Sequence, residues 1–125
     1  MQLLDADEIR LLTEVGFLAS ARGDIKRAEA IFGALERVRP QRDFPYVGLA
    51  TCYLNAGRAD DAVRVLERAG REVQTEDQPQ IAAFRALALQ LARRASESAR
   101  AAREAGEHPL ARALLGDSRP SPRGT

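Results

Sequence analysis

Displaced by 34 residues, the chain lies over itself. Leu12, Val15, Gly16 and Ala19 fall on Tyr46, Leu49, Ala50 and Tyr53, and Gly23 falls on Gly57. Further on, Ala28, Phe32 and Leu35 fall on Ala62, Leu66 and Ala69. Size class is kept or nearly kept at each position. A period of this length restricts the fold severely. Each unit is one supersecondary piece that cannot bury its apolar face alone, so the units must stack. Each segment reads as an apolar-periodic helix, a glycine and a second such helix, and Pro40 stands beyond the end of the first segment. Gly23-Asp24 and Gly57-Arg58 supply the positive-φ residue of a short helix–helix turn. Gly16, Ala28, Ala50 and Ala62 are small enough for paired helices to approach closely, while Leu12, Phe32, Tyr46 and Leu66 fill the space between units.

The rest of the chain follows the pattern less strictly. An N-terminal amphipathic helix is expected over Glu8 to Arg22, capped by Asp7, with Asp5, Asp7 and Glu8 near its positive end. Residues 70–80 break the period and read as a helix end and a loop, with Asp77 as the next N-cap and Pro79 in the first turn. Ile81, Phe84, Leu87, Ala88, Leu91 and Ala92 make an amphipathic stripe. Ser96 to Gly106 is Ala-rich and helical, with a weak face of Ala99, Ala102 and Ala105, and Pro109 opens a short helix from Leu110 to Leu115. Ala, Leu and Arg dominate, β-branched residues are sparse and aromatics are 5%, which favours helix over sheet. The expected fold is all-α: an α-solenoid of about three helix-turn-helix units in one domain, 1–116. The units are 9–42, 43–76 and a degenerate, capping 80–116, followed by a disordered Pro/Ser-rich tail, 117–125.

Several function classes find no support. No run of 18 apolar residues suggests a membrane span, and the N-terminus lacks a basic region followed by an apolar stretch. A single cysteine, Cys52, makes no internal disulfide or CxxC metal site, and a single histidine, His108, makes no His cluster. His108 reads as a solvated loop residue and Cys52 as a packed one, and neither has a second imidazole to activate it. Glu36-Arg37 and Glu67-Arg68 read as weak surface ion pairs. Phosphate-binding glycine loops are absent, so no enzyme activity, cofactor or metal is expected. The formal net charge is +1, with −3 over residues 1–80 (11 basic, 14 acidic) and +4 over 81–125 (8 basic, 4 acidic). That gradient steers weakly at most. Arg93, Arg94, Arg100 and Arg103 do not share one helix face, so no nucleic-acid stripe forms.

The period and the small–large pattern of residues 9–42 and 43–76 resemble the tetratricopeptide repeat (TPR), with Leu12 and Tyr46 where that family often has Trp and Gln74 in place of a final Pro. The resemblance implies a concave groove lined by the first helix of each unit. Carried over position by position, the groove residues are Arg10, Thr13, Phe17 and Ala21, then Phe44, Val47, Thr51 and Asn55, with Leu54 beside them. Phe17, Phe44 and Leu54 are not required by the internal packing pattern, which leaves them for a partner; the alternative is that Phe17 and Phe44 fill ordinary core gaps. Thr13 and Phe17 stand where chaperone-binding TPRs place Lys and Asn, so an acidic carboxylate clamp is not expected. The groove suits an apolar segment, extended or helical.

The stretches Leu11–Pro40 and Phe44–Gly57 are also similar to small TPR chaperones of bacterial type III secretion systems, YscY-type members among them, and to a related family of plant-pathogen secretion systems. This resemblance implies a cytoplasmic bacterial virulence chaperone. It would hold a secreted component of the apparatus unassembled and present it to the export gate, without nucleotide, nucleic acid or membrane insertion. Homodimerisation without cargo is an expectation for a solenoid with exposed ends. A general scaffold or assembly protein of a secretion or other multiprotein machine is the alternative.

Overall fold

The computed structural model describes residues 4–116. The tail expected to be disordered, 117–125, lies outside the described residues. Among these residues the secondary structure is helical, with no strand: α1 (Ala6–Ala21), α2 (Ile25–Val38), α3 (Phe44–Asn55), α4 (Ala59–Glu72), a 3-10 turn (Thr75–Asp77), α5 (Gln78–Leu91), α6 (Ala95–Ala105) and α7 (Pro109–Leu114). The fold is a helical-repeat solenoid, as expected.

Three hairpins, α1–α2, α3–α4 and α5–α6, are closed by one device. At each turn the third residue past the helix donates its N–H five residues back: Asp24 to Ala19 O at 2.9 Å, Arg58 to Tyr53 O at 2.8 Å, and Arg94 to Leu89 O at 2.9 Å. The residue before it is left-handed, with φ of 66° at Gly23, 75° at Gly57 and 63° at Arg93. These are Schellman motifs, which satisfy carbonyls that the helix end would otherwise orphan. The third one uses an arginine where the first two use glycine. It also places the third unit 36 residues after the second (57 to 93), not 34.

That register explains the packing of the third pair. Ser98 takes the place of Ala28 and Ala62, and Ala102 that of Phe32 and Leu66. With small side chains along its buried face, α6 lies close on α5, and the buried Ser98 hydroxyl donates to Ala86 O at 2.7 Å. The buried face of α6 is Ser98, Ala101, Ala102 and Ala105, so the expected face through Ala99 is corrected: Ala99 is only half-buried.

The core of the first two units converges on Phe32, which is fully buried. Gly16 of α1 and Gly48 of α3 both press on the outer end of its ring: a Cβ on Gly16 would stand 2.8 Å from Phe32 Cζ, and one on Gly48 would be nearer still to Cζ and Cε1 and 2.6 Å from Cε2. The buried Ser20 hydroxyl donates to Gly48 O at 2.7 Å and Asn55 Nδ2 donates to Ser20 O at 2.8 Å, so α1 and α3 are joined by polar as well as apolar contacts.

Other local readings change. The cap of α1 is Asp5, not Asp7: Asp5 Oδ1 accepts from Glu8 N at 2.8 Å and Glu8 Oε1 accepts from Asp5 N at 3.0 Å, a reciprocal pair that Asp7 has no partner to make. Asp77 does precede α5, but its carboxylate makes no cap bond. It accepts instead from Asp43 N at 3.0 Å and Arg42 Nε at 3.2 Å, tying the loop before α5 to the loop before α3. Burial, and then the Asp77 charge, push the Asp43 carboxyl above its usual range. Glu36 pairs across units with Arg68 at 3.1 and 2.9 Å, not with its neighbour Arg37. The last helix ends at Leu114, one residue short of the expected Leu115.

Candidate partner-binding groove

The backbones of α1, α3 and α5 approach one another closely in sequence, whereas those of α2 and α4, and of α4 and α6, do not, and the long side chains of the Glu36–Arg68 ion pair span the gap between α2 and α4. A stack crowded on one side and spread on the other is curved. Its inner row is α1, α3 and α5, and its outer row is the strongly charged α2, α4 and α6. The inner row is what the sequence assigns to a groove.

The chain sorts the nine expected groove residues by exposure. Arg10, Ala21 and Asn55 are exposed, and Phe17 is 36% exposed. Thr13, Phe44, Thr51 and Leu54 are half-buried, and Val47 is buried. The threonine hydroxyls turn back on their own helices, Thr13 Oγ1 donating to Ile9 O at 2.6 Å and Thr51 Oγ1 to Val47 O at 2.7 Å. Their donors are therefore spent locally. Of the two readings of Phe17 and Phe44, core filling holds, and Leu54 is not spare either. Phe17 packs edge-on to Phe32, with centroids 5.1 Å apart and planes at 75°, and Phe44 and Leu54 rest against the core. Their rims remain accessible while their bodies hold the fold.

Aligning the three turns adds a row that the 34-residue period hid. Gln80 corresponds to Arg10 and Phe44, Leu87 to Phe17 and Thr51, Gln90 to Ser20 and Leu54, and Leu91 to Ala21 and Asn55. Leu91 is 56% exposed. Leu87 and Leu91 were legible as an amphipathic stripe. Assigning them to the groove needs Arg93 to be recognised as the left-handed turn residue. Charge is scarce along the inner row: α3 carries no Asp, Glu, Lys or Arg, and Arg10 is the one charged residue among the groove positions named here.

Groups that carry chemistry elsewhere are committed to structure. Cys52 is fully buried, and burial followed by the Asp24 and Glu29 charges pushes its thiol up, away from the reactive thiolate. His108 is not a solvated loop residue. It caps α7, its Nδ1 accepting from Leu110 N at 3.2 Å, and its Nε2 lies 2.7 Å from Gln80 Oε1. With Nδ1 accepting, the proton belongs on Nε2, which donates to Gln80. No cluster of three or more His, Cys, Asp or Glu side chains is placed to hold a metal among the described residues. Nor is any described helix long and apolar enough to cross a membrane.

No curated protein and no solved structure matches the chain. A family model described as tetratricopeptide repeat matches residues 19–88, from the end of α1 into α5, which is more than half of the chain. With that match, a 34-residue period in its sequence and helix hairpins stacked into a curved row, the chain belongs to the tetratricopeptide repeat family.

Proposed function

We propose that the chain is a non-enzymatic protein-binding module whose inner row holds an apolar segment of a partner polypeptide. The observation that carries this reading is the composition of that row. An α3 without charge, accessible rims of Phe17, Phe44 and Leu54, the exposed Leu91 and threonines whose hydroxyls face inward offer carbon and very little charge. Such a surface gains from covering apolar side chains and has little to offer an acidic tail.

Within that reading, the partner is a secreted component of a type III apparatus, kept unassembled in the bacterial cytoplasm until export. Support comes from the similarity of Leu11–Pro40 and Phe44–Gly57 to the chaperones of those systems. Binding alone would suffice: covering a segment that otherwise self-associates shifts the cargo toward its soluble form by mass action, without nucleotide.

The test is co-expression with the products of the flanking genes, followed by purification of any stoichiometric complex. Because Phe17 and Phe44 also support the core, the informative variants are Leu91→Glu and Ala21→Glu, both at exposed positions. Each should abolish the complex while circular dichroism stays that of the parent. A complex that forms equally well with both variants would place the partner elsewhere. A partner that is not exported would favour the scaffold reading.

A further inference from the structure

We propose that the outward face of α1 is a homodimer interface, in which two copies meet head to head with their α1 helices antiparallel. Leu11, Val15 and Leu18 are 61%, 37% and 60% exposed and recur at i, i+4 and i+7, so they form one stripe on α1. The repeat register shows what kind of position these are. In α3 the same places hold Pro45, Leu49 and Cys52, all buried; in α5 they hold Ile81 and Ala88, both buried, and the half-buried Arg85. Helices α3 and α5 each pack against the preceding repeat, α3 on α1 and α2, and α5 on α3 and α4. Helix α1 touches only α2 and α3 among the described residues, so its stripe is an inter-repeat surface left without a neighbour.

The opposite end of the stack is closed. There α7 packs on both α5 and α6 and buries Ala111. A second copy therefore has no matching open end for head-to-tail growth, and the open face of one copy meets the open face of another, which is an isologous contact.

The flanks of the stripe favour one orientation. Glu8, Leu11, Val15, Leu18 and Arg22 follow at spacings of three and four, a heptad seam with an acid at one end, a base at the other and apolar residues between. Glu8 uses one carboxylate oxygen in the cap, and Arg22 makes no ion pair among the described residues. Antiparallel pairing sets the Glu8 end of each helix beside the Arg22 end of the other, twice by symmetry. Parallel pairing would set like beside like. One helix per copy is a small area, and Asp7 and Glu14 border the seam, so the dimer should be reversible, with a dissociation constant on the order of 10 μM. This face differs from the groove face carrying Phe17 and Ala21, so the two proposals fail separately.

Sedimentation velocity of the protein alone, from about 1 to 300 μM, tests this. The wild type should pass from monomer to dimer across that range. Leu18→Glu removes an apolar contact twice over and should raise the dissociation constant about a hundredfold, with helicity unchanged. Arg22→Glu, which leaves the Asp5–Glu8 cap of α1 intact, should weaken the dimer about tenfold, and Arg22→Lys should keep it within a few-fold. A protein monomeric throughout, or a dimer indifferent to Leu18→Glu, overturns the proposal. A dimer indifferent to Arg22→Glu overturns the antiparallel arrangement.

Discussion

Replacing Gly48 by alanine measures how tightly the first two repeats are fitted together. In an unencumbered helix the change should stabilise, since alanine is favoured over glycine by about 1 kcal/mol. Here the new Cβ would meet the Phe32 ring, with Cε2 at 2.6 Å and two other ring atoms nearer. The ring is fully buried and has little room to retreat, because Gly16 on α1 already crowds the same end of it, at a Cβ-equivalent distance of 2.8 Å from Cζ. Overpacking of this kind costs about 1–3 kcal/mol and sometimes more, and a clash this deep belongs at the upper end. After the propensity gain, a net loss of about 2 kcal/mol is expected, seen as a fall in Tm of roughly 5–10 °C for a chain of this size. The partner of the clash is a single side chain, so the effect can be cancelled. Phe32→Leu places there the residue that the second repeat carries at the equivalent Leu66. Alone it should cost roughly 1 kcal/mol through lost contacts. Once it is in place, Gly48→Ala should be neutral or stabilising, giving a coupling energy of about 2 kcal/mol in a double-mutant cycle. Thermal and urea melts followed by circular dichroism read all four proteins. A Gly48→Ala protein at least as stable as wild type, or two substitutions that simply add, would refute the insertion of Phe32 between α1 and α3.

Two further outcomes follow from the same contacts. Tyr46 and Tyr53 are both pushed up to about 12, mainly by burial and then by neighbouring carboxylates, and Tyr53 also donates to Glu29 Oε2 at 2.5 Å. Folding thus favours the neutral phenols, so their contribution is complete below pH 10 and lost as pH rises toward 12, up to roughly 2–3 kcal/mol for each tyrosine. The phenolate absorbance should therefore appear together with loss of helicity above pH 10, whereas ionisation at the ordinary pH with helicity intact would contradict the burial argument. Arg93, at φ 63°, is the one non-glycine residue with positive φ among the described residues. Arg93→Gly should raise stability by about 0.5–1 kcal/mol in the same melts, and a decrease would mean that the arginine side chain, not its backbone, matters at that turn.

What the sequence made legible, and what it concealed, divides at that same residue. Wherever a rule depends on one residue and its period, the reading holds: Gly23 and Gly57 are the left-handed turn residues, Gly16 lies close on Phe32, and Ala28, Ala50 and Ala62 are fully buried. Wherever two groups compete for one partner, the chain chooses by geometry that spacing does not reveal. Asp5 wins the cap of α1 because Glu8 returns its hydrogen bond, Asp77 turns away from its own helix toward Asp43 and Arg42, and Glu36 reaches Arg68 across the stack. The third repeat was obscured for a different reason. Two extra residues shift its register, and an arginine carries the turn that a glycine would have announced. The fold tolerates that arginine because the surrounding Schellman bonds and the close packing of α5 on α6 determine the turn without glycine's help. The consequence reaches the site. Leu87 and Leu91 join the inner row only in the 36-residue register, and with them the row gains a third rung beside those of Phe17 and Thr51. A segment bound there would span all three helices, so substitutions on α5 are as direct a probe of the groove as any on α1 or α3.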